Sequence, residues 1–286
     1  MADELSVAIG DDPRVEPIKS GRLASPLLKV NFAAVAPIHR AFAPMARELK
    51  YDISEMATGT FLQARGYGKK LALLPIVTLA RFQEAALLCR ADSAIAGPAD
   101  LRGRRVGVRA YSQTTGLWLR GELADTYGVP PESVEWVTFE DAHVAEYRDP
   151  PHVRRAAPGQ SLLQMLQSGA IDAAIFGADA PDDPTLRSVF SDPEAAAKRF
   201  FEKHGFKPIN HMVSAKAELV ETRPDLIEAF MSLFREADAL ARKEGTMREA
   251  PIDRRAMDAS LDLLARYAAE QGLTPRRLGL AEIWGR

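Results

Sequence analysis

Gly97-Pro98-Ala99-Asp100-Leu101-Arg102-Gly103-Arg104-Arg105-Val106-Gly107-Val108-Arg109-Ala110 is the stretch on which the fold turns. Its glycines and proline punctuate the chain, and Arg105 to Ala110 then reads as a strand. Gln113 to Tyr127 follows with helical character, with Ser112 at the N-cap and Gly128 just past the end. The stretch is a restart, because a strand–helix alternation has already run once before it. Upstream, Leu5–Ile9, Leu27–Ala34, the segment around Ile53 and Met56, and Leu71–Leu79 read as strands. Pro37–Leu49 places Ile38, Phe42, Met45 and Leu49 on one helical face, and a short helix begins near Thr60. Ala85–Cys89 opens the second set. Val134–Phe139 and Ile171–Phe176 continue it, the latter nearly all apolar, as for a strand buried on both faces. Ser161–Ser168 is a helix between them.

Further on, His211–Ala215 reads as a returning strand. A long amphipathic helix opens at Thr222-Arg223-Pro224-Asp225 and ends at Gly245, and a second runs from Arg254 to Gln271. Alternating β and α segments imply mainly parallel sheets. Two such sets imply an α/β protein of two lobes with a cleft between them. The expected division is 1–84 for lobe one, 85–209 for lobe two, and 210–286 for the return to lobe one. A length of 286 residues fits, at about 150 residues per domain.

Composition excludes several partners. The net charge of −2 leaves no basic footprint for nucleic acid or an anionic membrane. No apolar run approaches the ~18 residues of a membrane span. Cys89 is the sole cysteine, so no intrachain disulfide forms, and its apolar neighbours make it a buried thiol. Met1-Ala2-Asp3-Glu4 is acidic where a secretory leader would be basic and then apolar. The expectation is a cytoplasmic protein, or a periplasmic one if a leader has been removed. The five histidines, 39, 143, 152, 204 and 211, show no metal-ligand spacing. There is no nucleophile elbow and no phosphate loop, so the expectation is no metal and no cofactor.

Several segments together resemble the 4,5-dihydroxyphthalate decarboxylase-like family of the periplasmic-binding-protein type II superfamily. Gly10-Asp11-Asp12-Pro13-Arg14 is similar to its opening turn, and Asp52-Ile53-Ser54-Glu55-Met56 to its Asp-Val-Ser-Glu-Met stretch. The Asp100–Val108 block is similar to the start of lobe two in many solute-binding proteins. More specific are Tyr111, Thr114, Trp118, Arg120 and Gly121, then Tyr127-Gly128-Val129-Pro130. Pro208-Ile209-Asn210-His211-Met212-Val213 resembles the family's Pro-Ile-Met-His-Thr-Val. Two departures stand out. Where the family carries an Arg-His pair after the aromatic residue at Phe82, this chain has Gln83 and Glu84. After Gly177, where the family tends to place an arginine, the loop is Ala178-Asp179-Ala180-Pro181-Asp182. Each lost guanidinium contact to a phthalate dianion is worth ~1.5–3 kcal/mol.

The resemblance places His211 on the strand that returns through the hinge, facing the cleft, where it would deliver a proton to the ring carbon that loses CO₂. Glu55 takes a proton from a substrate hydroxyl or accepts its hydrogen bond, or else caps the helix that follows it. Ser112, Thr114 and Thr115 open a helix whose free N–H groups suit a carboxylate; plain capping accounts for Ser112 alone. Arg14, at the carboxyl end of the first strand, either grips a carboxylate or lies on the surface. Glu84 and Asp179 join the candidate substrate site as the residues at the substituted positions. Trp118 reads as core. The resemblance implies a cofactor-free carboxy-lyase acting on a hydroxylated aromatic acid. The alternative is a non-catalytic solute-binding protein of an ABC transporter or sensor, with a permease as partner. In both, the partner is a small aromatic or other organic acid.

Overall fold

The computed structural model describes residues 2–177, 180–247 and 252–285. The first run of elements is β1 (Asp3–Ala8), α1 (Val15–Lys19), β2 (Leu28–Phe32), α2 (Phe42–Glu48), β3 (Ile53–Ala57), α3 (Thr58–Gly66) and β4 (Leu71–Ala80). The second is β5 (Leu87–Arg90), β6 (Arg105–Val108), α4 (Thr114–Tyr127), β7 (Glu135–Thr138), β8 (Val153–Arg155), α5 (Leu162–Gln167), β9 (Ala173–Ile175), β10 (Leu186–Ser188) and α6 (Pro193–His204). Then come β11 (Ile209–Lys216), α7 (Ala217–Thr222), α8 (Pro224–Lys243), α9 (Arg254–Glu270) and α10 (Leu280–Ile283).

Two sheets result. Five strands in the order β2-β1-β3-β11-β4 form one, and six in the order β10-β5-β9-β6-β7-β8 form the other. The chain leaves the first sheet after β4 and re-enters it at β11. Both sheets are mixed, and in the second the parallel pairs outnumber the antiparallel ones. β11 runs antiparallel to β3 and β4, and β5 antiparallel to β9 and β10, while β1 and β6 pair in parallel with their neighbours. β5 enters the second sheet over the short link from β4, whereas β11 returns to the first sheet after α6.

The long helix α8 buries Leu226, Phe230, Leu233, Phe234 and Ala237 against Leu5, Val7 and Ile53 of the first sheet. Its apolar stripe follows the 3.6-residue period read from the sequence. A larger cluster joins Met56 and Leu73 of the first sheet to Val106, Trp118 and Ile175 of the second half and to Leu264 and Tyr267 of α9. α9 thus packs on α3 and on α4. Trp118 is core, its ring edge-on to Phe200 and Tyr267, and Cys89 is fully buried.

The α4–α9 contact depends on Gly121. A Cβ there would lie 2.2 Å from the Tyr267 ring, whose hydroxyl donates to Asp125 at 2.9 Å and so cannot move away cheaply. Gly121→Ala is expected to lower unfolding free energy by about 1–3 kcal/mol in urea titrations. Gly97→Ala, where a Cβ meets nothing within 4 Å, should change it by less than about 0.5 kcal/mol.

Candidate functional site

β11 lies between β3 and β4, and its register fixes the first functional pair. His211 is opposite Ala57 on β3, and Val213 is opposite Glu55. His211 and Glu55 are therefore diagonal neighbours on one face, a separation that long side chains bridge. His211 Nδ1 lies 2.7 Å from Glu55 Oε1. The other carboxylate oxygen accepts the Gly10 N–H at 3.0 Å. Glu55 is buried, whereas His211 lines a cavity of about 930 Å³. With Nδ1 engaged, Nε2 is the ring nitrogen left for a ligand.

The cavity draws walls from both halves of the chain, including Phe42, Thr60 and Leu79 on one side and Arg109, Phe139 and Phe176 on the other. Its polar end is the start of α4. The helix begins at Thr114, and the cap position is Gln113 rather than the expected Ser112, with no side chain bonding the first turn. The first-turn N–H groups and the dipole there favour an anion. Ser112, Thr114 and Thr115 all line the cavity. The Thr114 hydroxyl oxygen accepts the Gly59 N–H at 3.0 Å, which ties α4 to α3. Thr115 Oγ1 accepts from Arg81 Nη2 at 2.9 Å, and both hydroxyl hydrogens remain available to a carboxylate.

Arg120 holds this anchor from behind. Helical side chains lean toward the N-terminus, and the fully buried Arg120 reaches back to donate to the Tyr111 carbonyl while stacking 3.8 Å from that residue's ring. Its Nε donates to Gln271 Oε1 at 2.7 Å, and Gln271 Nε2 donates to the Leu117 carbonyl at 2.9 Å. One guanidinium and one amide thus bracket residues 111–117.

Arg81, Arg109, Asn210 and His143 also line the cavity, and none was singled out from the sequence. Arg81 had a readable signal, since it ends a strand beside Phe82, at the kind of position where α/β sheets bind ligands. Its guanidinium stands beside the start of α4 through Thr115, two positions before Gln83 in the chain. Gln83, one of the departures from the family pattern, pairs with Asn210 of the Pro208–Val213 segment. Gln83 Nε2 donates to Asn210 Oδ1 at 2.7 Å, and Asn210 Nδ2 donates back to Gln83 Oε1 at 3.3 Å. This buried amide pair joins the Arg81 segment to the His211 strand.

Two expectations are corrected. Arg14 lies at a different cavity, of about 540 Å³, among Met231, Phe234 and Met257. Asp12 takes its Nε and Nη2 at 2.8 and 2.6 Å, the Val77 carbonyl accepts Nη2 at 2.7 Å, and Nη1 lies 3.9 Å from Asp238. Glu84 is buried on the turn before β5 and is not part of the cavity wall. Desolvation raises its carboxyl above the ordinary range. Asp179 lies outside the described residues. Among the described residues no group of three or more His, Cys, Asp or Glu could hold a metal ion, and no helix is long and apolar enough to cross a membrane.

A family model described as NMT1/THI5 like matches residues 44–148. The 4,5-dihydroxyphthalate decarboxylase of Comamonas testosteroni is 28% identical, over 83% of this chain and 76% of that one. This chain is similar to the 4,5-dihydroxyphthalate decarboxylases. The resemblance drawn from its motifs therefore holds. The periplasmic aliphatic sulphonate binding protein SsuA from Escherichia coli superposes with a TM-score of 0.66 at 16% identity, over 99% of this chain and 98% of that one. A mutant of DSZB in complex with biphenyl-2-sulfinic acid superposes with a TM-score of 0.63 at 15% identity, over 99% and 96%. These identities speak for fold alone, and the fold is that of periplasmic-binding-protein type II.

Glu122 of α4 gives a pH test of the anchor helix. Burial and the nearby Glu84 carboxylate push its pKa from 4.5 up to about 8, with Arg199 and Lys203 opposing. The folded state therefore keeps a proton that the unfolded chain releases above pH 4.5. Stability from this group is full below that pH and is lost as pH rises toward 8. Glu122→Gln should flatten that decline and raise unfolding free energy at pH 8 by about 2 kcal/mol, measured by urea titration from pH 5 to 8.

Proposed function

We propose that this protein is a cofactor-free carboxy-lyase that decarboxylates a hydroxylated aromatic acid bound between lobes made of residues 1–84 with 210–286 and of residues 85–209. The observation that carries the reading is the Glu55–His211 pair at the wall of a cavity whose far end is an uncapped helix start. The substrate carboxylate lies toward Thr114, Thr115, the first-turn N–H groups of α4 and Arg81. The ring lies among Phe42, Leu79, Phe139 and Phe176. Glu55 has both oxygens committed to His211 and Gly10, so it orients the imidazole and balances its charge. That replaces the expectation that it takes a proton from a substrate hydroxyl.

In the reaction, protonated His211 gives its Nε2 proton to the ring carbon that bears the carboxylate, and a C–H bond forms. The ring hydroxyl feeds electrons into the ring to receive that proton. The C–C bond to the carboxylate then breaks, its electron pair restores the aromatic ring, and CO₂ leaves. The neutral His211 is reprotonated from solvent. Enclosure between the lobes excludes water and strengthens each of these interactions.

The similarity to 4,5-dihydroxyphthalate decarboxylase supports this reading, and the fold shared with SsuA supports a second one, in which the protein is a solute receptor without chemistry. CO₂ release from a panel of hydroxybenzoic and dihydroxyphthalic acids tests the choice. Release of CO₂ from none of the acids that bind the wild-type protein would leave the receptor. If a substrate is found, His211→Ala is expected to lower kcat by about 10²–10⁴-fold while the ligand's thermal shift persists. Arg81→Ala should instead weaken acid binding by about 10–100-fold, the worth of one charge-assisted contact, read by calorimetry.

A further inference from the structure

His143 lies in the segment after β7, and that segment is fastened to helices of the other half of the chain. Arg47 of α2 donates to the carbonyls of His143 and Ala142 at 2.8 and 3.0 Å. Lys69 pairs with Glu146 at 2.8 Å. The decisive contact is to the ring itself, where Thr60 Oγ1 of α3 lies 2.9 Å from His143 Nδ1. Phe42 meets His143 edge-on at 6.0 Å between centroids and His211 at 5.2 Å. Both imidazoles thus contact one phenyl ring, and both lie on the cavity wall.

We propose that His143 is the specificity-determining residue of the cavity, with Nδ1 held by Thr60 and Nε2 reading a hydroxyl group on the bound acid. Burial, with Arg109 and Arg47 nearby, holds the imidazole pKa down to about 4, so the ring is neutral at pH 7. A neutral imidazole offers one donor or one acceptor at Nε2, depending on the tautomer. A hydroxyl satisfies either tautomer, because it both donates and accepts. A carboxylate, which can only accept, is met by the Nε2–H tautomer alone, and a bare C–H leaves a polar atom unpaired at a desolvated wall. The inference deepens the proposed function by naming a substituent this cavity reads, a hydroxyl on the ring of the bound acid. It rests on that reading for the aromatic acid.

The test measures dissociation constants for benzoate, the three hydroxybenzoate isomers and phthalate by calorimetry, on wild type, His143→Phe and Thr60→Val. At least one hydroxybenzoate should bind wild type about three- to tenfold tighter than benzoate, the worth of one neutral hydrogen bond. In both variants that ratio should fall to about one, including in Thr60→Val, which keeps the ring and removes only its anchor. A ratio that survives in His143→Phe, or a wild type that binds benzoate and every hydroxybenzoate equally, overturns this assignment and leaves the aromatic-acid reading standing. A wild type that binds none of the acids overturns both.

Discussion

The insertion of β11 between β3 and β4 is the constraint on which the rest depends. It is the only described strand of the first sheet that comes from beyond the second one. Its antiparallel register turns two residues 156 positions apart in sequence into a hydrogen-bonded diagonal pair. The same strand holds the second half of the chain in place. The Ile209 carbonyl accepts the Trp118 indole N–H at 3.1 Å and the Thr58 hydroxyl at 2.9 Å. Asn210 binds Gln83 at the first crossing between sheets. A one-residue slip of β11 would turn His211 to the opposite face of the sheet and break each of these contacts.

Electrostatics then divide the cavity into two ends. At the α4 end, cationic and N–H groups collect. Arg120 is fully buried and makes no ion pair within 4 Å among the described residues, an arrangement that costs stability unless its donors are met. Tyr111 and Gln271 meet two of them, while Nη1 has no partner. Its positive charge therefore adds to the helix dipole on the side where an anion would sit. At the β11 end stand two imidazoles, one backed by a carboxylate and one by a threonine hydroxyl, with Arg109 near the second. A ligand spanning both ends needs an anionic head and a hydrogen-bonding body.

The elements of this site were legible in unequal measure. The helix before Tyr127 was readable from its bounding residues, the strand around His211 from its motif, and α8 from its apolar stripe. Strands of three residues, Val153–Arg155 and Leu186–Ser188, are too short to carry a period. Residue identity at Glu55 and His211 was readable from motif resemblance. Their division of labour was not, because it follows from a strand register that no local pattern encodes. Arg14 illustrates a misreading with a local remedy, since Asp12 two residues earlier offers a turn-closing partner. His143 and Thr60 lie 83 positions apart on elements that meet only in the folded chain, and neither belongs to a recognisable motif.

The placement of Glu55 bears on the choice between a lyase and a receptor. A cavity built only to hold an organic anion gains nothing from a carboxylate behind its wall. With His211 neutral, that charge opposes the ligand across a short, poorly screened distance. With His211 protonated, the pair is neutral overall, and the imidazolium presents an acidic N–H to the cavity. Under the proposed reaction the buried carboxylate has a use beyond binding, since it stabilises the proton until a ring carbon takes it. Once the proton has left, the uncompensated Glu55 charge repels an anionic ligand, but after decarboxylation a single-carboxylate substrate has become a neutral phenol. The electrostatic penalty thus falls on a state whose ligand no longer carries the charge, which is the order of events that a decarboxylase requires.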